Sequence, residues 1–224
     1  MSGGGKGWGK DLNRRQMLAL LAAGAGTALA GKALAEAGFH RGAPVLDAAI
    51  SAGQLPPVGH RLPLIPRVVH LTGEGQAPGQ YGGRLRILIG SARDVRYVPI
   101  ISYARLVGYD RDFIIQPDIL ERFHVANERI FTFRLRRGHR WSDGTPVTAE
   151  DFRFAWQDVA LHPKISRGGI PAELRVNGQP PRFEVIDDLT VRYSWDDPNP
   201  AFLTQLASPG PPKLLLPSAY LRQF

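Results

Sequence analysis

Apolar and polar side chains alternate most cleanly between residues 130 and 136, where Phe or Leu occupies every second position from 131. A period of two predicts a strand with one face in a core and the other in solvent. Two further strand-like runs, 183–186 and 190–195, flank a pair of aspartates, and this arrangement predicts a hairpin. Residues 84–89 form a nearly continuous apolar run between glycines, which predicts a buried strand.

A helix is predicted directly after residue 148. Thr148 stands three residues before Asp151, which is the spacing of a capping box, where two side chains satisfy free N–H groups of the first turn. The apolar residues that follow recur at helical spacing and share one face: Phe152, Ala155, Trp156 and Val159. We expect the helix to stop at His162-Pro163, because proline disfavours the helical conformation of the residue before it.

Weaker local signals predict shorter elements. Pro followed by Asp predicts a short helix over 117–122, and Asn followed by Pro predicts another over 199–206. Residues 108–110 and 142–145 carry turn chemistry. The segment 98–107 fits either a strand or a short helix.

The region that precedes these elements is rich in proline and glycine. Residues 36–83 contain six prolines and nine glycines, a composition that favours extended or turning backbone. We therefore predict an arm over residues 36–80 that lies on the surface of a domain.

The first thirty-five residues have the layout of an export signal. Arg14 and Arg15 stand together before an apolar stretch, residues 17–30, that is rich in Ala, Leu and Gly. Small-residue cleavage patterns follow at 28–30 and 33–35. The paired arginines resemble a twin-arginine signal. The alternative is a short anchor that is never cut, although the apolar stretch is shorter than a membrane span requires.

Composition removes several classes of function. The chain has no cysteine, which excludes disulfide scaffolds, Cys-ligated metal sites and a Cys nucleophile. The formal net charge is +8, and residues 1–35 contribute five basic side chains against one acidic, or +4. The remaining +4 is a mild excess for a chain of this size.

Two alternative functions remain open on the residues alone. A basic cluster at 134–140, next to Phe133 and Trp141, is compatible with a nucleic-acid-binding module, although a solvated strand face explains it more simply. A secreted hydrolase is the second alternative. The six histidines stand apart and the paired aspartates at 187–188 and 196–197 suit turns, so we expect no enzyme activity, metal or cofactor.

Several segments together resemble one family. Residues 81–87 read YGGRLRI, and 108–110 with 116–121 read GYD and QPDILE. Residues 131–152 read FTFRLRRGHRWSDGTPVTAEDF, and 185–191 read VIDDLTV. These stretches are similar to the signature segments of the family 5 extracytoplasmic solute-binding proteins of ABC transporters, the peptide, nickel and oligosaccharide class. The long stretch at 131–152 is the most specific of them.

The resemblance implies a fold and a function. The fold is α/β and periplasmic binding protein type II-like, with a mixed sheet and short helices. The resemblance implies that the protein captures an oligopeptide or another small polar oligomer for delivery to the inner-membrane permease of an ABC importer, with no nucleic-acid partner. The Arg14-Arg15 signal further implies the twin-arginine export machinery as a partner, and a periplasmic protein that is soluble after signal cleavage.

The resemblance also suggests a ligand wall and a domain layout. Ser91 and Arg93, after the first strand, and Tyr109 in the following turn come nearest to the ligand in such a fold. Arg93 suits a carboxylate, and Tyr109 suits stacking or hydrogen bonding. The layout is a signal peptide over 1–35, the arm over 36–80 and the first part of a solute-binding lobe over 81–224.

Members of this family are much longer than 224 residues, so we expect an incomplete first lobe with the second lobe absent. An incomplete sheet leaves unpaired edges and exposed apolar surface. We therefore expect the apolar residues of the predicted helices to lack part of their burial partners: Phe152, Trp156, Phe202 and Leu206.

Overall fold

The computed structural model describes residues 40–71, 73–98 and 104–224. The chain divides after Gly42 into two units, and the second, Ala43–Phe224, holds the helices and strands of the described residues. Its helices are short: α1 (Asp47–Ser51), α2 (Val58–Arg61), α3 (Ala149–Arg153, continued by π-helical turns over Phe154–Ala160), α4 (Phe202–Leu206) and α5 (Ser218–Leu221). Within the described ranges no helix is long and apolar enough to cross a bilayer.

The strands of the described residues form two sheets. They are β1 (Val107–Tyr109), β2 (Ile115–Pro117), β3 (Leu120–Ala126), β4 (Ile130–Leu135), β5 (Arg182–Asp187) and β6 (Thr190–Ser194). β1 and β2 make a small hairpin, and the larger sheet has the order β3-β4-β6-β5. Every pair is antiparallel. The predicted mixed sheet is therefore not found in this part of the chain, because tight turns join β3 to β4 and β5 to β6, and such turns connect only antiparallel strands.

The alternation in β4 is confirmed. Phe131, Phe133 and Leu135 are buried, whereas Thr132 and Arg134 lie on the other face. β4 pairs with β3 on one side and with β6 on the other. The buried face of this central strand thus forms the floor of the core.

Helix α3 packs against β5 and β6 of the same sheet, and its predicted start and end are confirmed. Thr148 and Asp151 form the capping box, and the helical turns end at Ala160, before His162-Pro163. Of the predicted apolar face, Phe152, Ala155 and Trp156 are buried. The Thr148 spacing and the apolar repeat together therefore placed this helix correctly.

Aromatic rings fill the space between the sheet and the helices. Phe202 of α4 lies 5.0 Å from Phe131 and 4.8 Å from Trp195, measured between ring centroids. Tyr193 lies 5.0 Å from Phe183 and 6.2 Å from Trp156. Most of these rings meet edge to face or tilted, the arrangements that favour aromatic pairs.

Two predictions from local apolar and proline signals are wrong. Residues 84–89 make no strand and are exposed, with Leu88 entirely in solvent, because no described strand pairs with them. The predicted helix at 117–122 is instead the end of β2 and the start of β3. Backbone N–H groups of Asp118 and Leu120 donate to the carbonyl of Leu106, and this non-local pairing outweighs the helix-start signal.

Two other boundaries differ from the prediction. Gly108 and Tyr109 belong to β1, so the predicted turn lies later, between Asp110 and Ile114. Helix α4 begins at Phe202 and not directly after Asn199, because residues 200 and 201 form a turn that leads into it. Of the ambiguous segment 98–107, residues 99–103 lie outside the described residues, and its last residue begins β1.

The expected loss of burial in the helices is also wrong. Phe152, Trp156, Phe202 and Leu206 are between 0% and 6% exposed. They obtain their partners from β4, β6 and one another, all within the residues that the structure describes. Exposed apolar surface is instead concentrated in residues 64–89.

The hydroxyl of Tyr193 is buried without a hydrogen-bond partner among the described residues, and burial raises the pKa of Tyr193. An unsatisfied buried hydroxyl opposes folding. We expect Tyr193→Phe to leave the free energy of unfolding unchanged or to raise it by about 1 kcal/mol, measured by urea titration. Phe133→Ala is the contrasting variant and should lower it by about 3 kcal/mol or more. A clear destabilisation by Tyr193→Phe would show that the hydroxyl has a partner in solution.

Candidate ligand-binding site

Tyr109 lies in the β1–β2 hairpin, whose turn is organised by one carboxylate. Asp110 accepts hydrogen bonds from the N–H groups of Asp112 and Ile114, both at 2.9 Å. It also accepts one from the side-chain amide of Gln116 at 3.1 Å. These bonds, led by the one from Ile114, lower the pKa of Asp110. The turn is consequently held in one conformation by a charged group.

The same turn presents apolar side chains to solvent. Tyr109 is 45% exposed, and Phe113 is 85% exposed with a φ of 58°. A bulky residue rarely adopts a positive φ, because its Cβ crowds the backbone there. The Asp110 network maintains this conformation, so the hairpin holds an exposed aromatic tip beside Tyr109.

Ser91 and Arg93 stand at the start of a 3-10 helix, Ala92–Tyr97. Ser91 is its N-cap and forms a capping box with Asp94, whose carboxylate accepts the Ser91 N–H at 3.0 Å. Arg93 is exposed. Ser91 therefore caps the start of this helix. The spacing of Ser91 and Asp94 is that of a capping box, a sequence signal that our prediction missed.

The three predicted ligand residues are not joined to one another in the described structure. Ser91 and Arg93 share one helical turn, whereas Tyr109 lies on β1, and the intervening residues 99–103 are outside the described ranges. The targeting residues Arg14 and Arg15 lie outside them as well.

The arm contacts this end of the molecule at several places. Leu64 donates its N–H to the carbonyl of Arg137 at 2.9 Å, and Arg67 pairs with Asp118 at 3.1 Å. A Cβ on Gly73 would lie 2.6 Å from a guanidinium nitrogen of Arg111, so any side chain there would have to displace that group. The predicted surface arm is thus partly attached, at Gly73, to the turn that follows Tyr109 in the β1–β2 hairpin.

Several polar residues of the signature-like stretch 131–152 make contacts that stabilise the fold. Asp143 accepts hydrogen bonds from the hydroxyl and the N–H of Thr145, which lower the pKa of Asp143 and close the turn. Arg134 pairs with Glu121 and Asp187. The basic cluster therefore includes paired side chains on a strand face, as its simpler interpretation predicted.

Asp151 is the most buried charged side chain of this region, at 3% exposure. Its Oδ2 accepts hydrogen bonds from the Thr148 N–H at 3.0 Å and the Trp141 indole N–H at 3.1 Å. Its Oδ1 accepts the N–H of Ser218 at 3.0 Å and the Ser218 hydroxyl at 2.6 Å. One carboxylate thus joins the loop, the helix start and the distant segment that begins α5.

An ion cluster lies on the exposed side of α3. Arg153 pairs with Glu150 at 2.7 Å and with Asp158 at 2.9 Å, and Arg222 of the C-terminal segment also pairs with Glu150. The hydrogen bonds from Arg153, followed by those from Arg222, lower the pKa of Glu150 to about 2. The cluster is a second link between α3 and the C-terminal segment.

The described residues contain no group of three or more His, Asp or Glu side chains placed to hold a metal ion. His139 is half-buried, and burial, with the nearby Arg136, lowers its pKa. The lowered pKa favours the neutral form of the His139 imidazole.

The sequence model of the bacterial extracellular solute-binding proteins, family 5 Middle, matches residues 115–215. This range contains the larger sheet, α3 and the Asp151 contacts to Trp141 and Thr148. Over these residues the chain is similar to the family 5 bacterial extracellular solute-binding proteins. Its fold is that of the periplasmic binding proteins.

Two curated relatives illustrate the family. The chain is 30% identical over 134 residues to the periplasmic oligopeptide-binding protein OppA of Escherichia coli strain K12, an alignment that covers 53% of this chain and 24% of the relative. It is 28% identical over 177 residues to the periplasmic alpha-galactoside-binding protein of Rhizobium meliloti strain 1021, covering 70% of this chain and 25% of the relative.

A solved structure of an oligopeptide-binding protein OppA matches the fold with a TM-score of 0.69 at 28% identity. The match covers 82% of this chain and 28% of that structure. The chain therefore spans about a quarter of the length of the relatives it matches. These relatives are named as binding proteins, in agreement with a solute-binding function.

We expect Asp151→Ala to be strongly destabilising, because it leaves the donors of Trp141, Thr148 and Ser218 without their acceptor. The free energy of unfolding should fall by about 3 kcal/mol or more, measured by urea titration with tryptophan fluorescence. Asp188→Ala removes an exposed aspartate nearby and is the control, with a change of about 0.5 kcal/mol or less. Equal effects of the two substitutions would contradict the role assigned to Asp151.

Proposed function

We propose that the protein captures an oligopeptide, or another small polar oligomer, outside the cytoplasm and delivers it to the inner-membrane permease of an ABC importer. The observation that carries this proposal is the family match over residues 115–215, together with the structural match to an OppA. The two curated relatives are named for an oligopeptide and an alpha-galactoside. Such ligands share polar groups along a short chain.

Arg93 and Tyr109 suit a ligand of this kind. Arg93 is exposed on its 3-10 helix, where its guanidinium can pair with a carboxylate of a peptide. Tyr109 offers a ring and a hydroxyl on a hairpin whose turn is rigid. Ser91 supports this wall indirectly, because it caps the helix that carries Arg93.

Uptake by cells tests both the proposed transport function and the proposed ligand contacts of Arg93 and Tyr109. Deletion of the gene in its native host should abolish uptake of labelled trialanine or, if the ligand is a saccharide, of labelled raffinose. The native gene should restore uptake, and Arg93→Ala or Tyr109→Ala should restore about a tenth of it or less at a substrate concentration below the dissociation constant.

Arg122→Ala is the matched control, since it removes an exposed arginine from β3 and should restore uptake fully. Unchanged uptake after deletion would contradict the proposed function. Full rescue by both wall variants would contradict the ligand wall alone. Permease and ATPase genes beside this gene are the expected genomic setting.

Export is the other part of the proposal. Arg14 and Arg15 precede the apolar stretch of the signal, and we expect them to direct twin-arginine export with cleavage after Ala30 or Ala35. Replacing both arginines by lysine keeps the charge and should leave an uncleaved precursor in the cytoplasm, detected by fractionation and immunoblotting.

Lys6→Arg is a control with an equally small change in the same charged region, and it should be exported normally. Normal export of the double lysine variant would instead assign the signal to the general secretory route.

A further inference from the structure

A groove of about 420 Å³ opens where the π-helical turns after α3 end. The chain leaves the helix at Leu161 and folds back, and this loop is held by hydrogen bonds. The Ser166 hydroxyl donates to the carbonyl of Val159 at 2.8 Å, and the Gly169 N–H donates to the carbonyl of Ser166 at 2.8 Å. The groove is therefore a feature of a fastened loop, and none of its residues belongs to the ligand wall proposed above.

The lining of the groove is amphipathic. Ala160 and Ile170 contribute apolar surface and pack against the hydrophobic core on their inner side. Leu161 extends this surface and is 48% exposed. Arg167 and Arg175 line the same groove and are not buried. A volume of this size lies within the range of small-molecule sites.

The two arginines differ from several other arginines of the described residues. Arg153 pairs with Glu150, Arg182 with Asp196 and Arg192 with Glu184. By contrast, no carboxylate within the described residues lies in ion-pair distance of Arg167 or Arg175. Two cations beside apolar surface thus remain available for an external anion.

Gly169 contributes to the placement of Arg175. Its φ is +73°, and a Cβ at this position would lie 2.8 Å from a guanidinium nitrogen of Arg175. The absence of a side chain lets the guanidinium lie against the loop backbone. The guanidinium of Arg175 thus lies beside the Gly169 backbone at the groove.

We propose that this groove binds a small amphipathic anion, with a carboxylate or phosphate head at Arg167 and Arg175 and an apolar body on Ala160, Leu161 and Ile170. Guanidinium groups bind such heads through paired, charge-assisted hydrogen bonds. A hydrocarbon chain that covers the apolar surface removes it from water, and this favours binding. This is a second ligand site, separate from the wall that carries Arg93 and Tyr109.

The test uses the purified protein and three probes of equal chain length: octanoate, octyl phosphate and the neutral octanamide. Binding is followed by NMR shifts of the arginine side chains and by calorimetry. Octanoate and octyl phosphate should bind saturably, and octanamide about tenfold more weakly or worse, because it lacks the charged head. Whichever of the two anions binds more tightly identifies the head group.

The double variant Arg167→Gln/Arg175→Gln should weaken octanoate binding about tenfold or more. Neither side chain is buried, so the midpoint of thermal unfolding should stay unchanged. An unchanged midpoint shows that the variant loses binding at the groove and not its fold. Arg122→Gln is the control and should bind octanoate normally. Equal binding of octanamide, normal binding by the double variant, or no saturable binding in the millimolar range would each overturn the proposal without affecting the proposed transport function.

Discussion

A single buried carboxylate holds the parts of this lobe together. Asp151 accepts four hydrogen bonds, from a loop indole, from the start of its own helix and from the segment that begins α5. A buried charge is tolerated only when its hydrogen bonds are satisfied. The positions of Trp141, Thr148 and Ser218 are therefore constrained jointly and not one by one.

The constraint has consequences for the whole sheet-and-helix unit. Because Asp151 fixes the start of α3, the apolar face that follows meets β5 and β6. Trp156 then reaches Tyr193 at 6.2 Å, and Tyr193 connects this contact to Phe202 at 5.9 Å. The core is thus built around a helix whose place is set by polar contacts at its first turn.

How much the sequence could predict depends on whether the deciding contacts are local. The alternation in β4, the hairpin around Asp187-Asp188 and the capping box at Thr148 are local patterns, and all three predictions are confirmed. The predictions of a strand at 84–89 and of a helix after Pro117 failed, because partners elsewhere in the chain decide both segments. Residues 84–89 have no partner strand among the described residues, and the N–H groups of Asp118 and Leu120 bond to Leu106. The positive φ of Phe113 carries no sequence signal at all, since the residue type disfavours it.

In the candidate ligand wall, too, local features could be predicted from the sequence and contacts between distant residues could not. The Ser91 and Asp94 spacing could have revealed a helix cap, and the sequence did place Tyr109 near a turn. The contact of Gly73 with Arg111 could not be predicted, because it joins residues that are far apart along the chain. The groove at Arg167 and Arg175 lies within residues 160–175, but the sequence carries no signal for the backbone bend that places the two cations beside apolar surface.

The distance along the chain between Asp151 and Ser218, 67 residues, also bears on the order of folding. Closing a loop of that length costs more chain entropy than forming a hairpin. The β3–β4 and β5–β6 hairpins and the first turn of α3 are therefore able to form before Ser218 arrives. Until it does, the Oδ1 atom of the Asp151 carboxylate remains hydrated, and the docking of Ser218 has to remove that water.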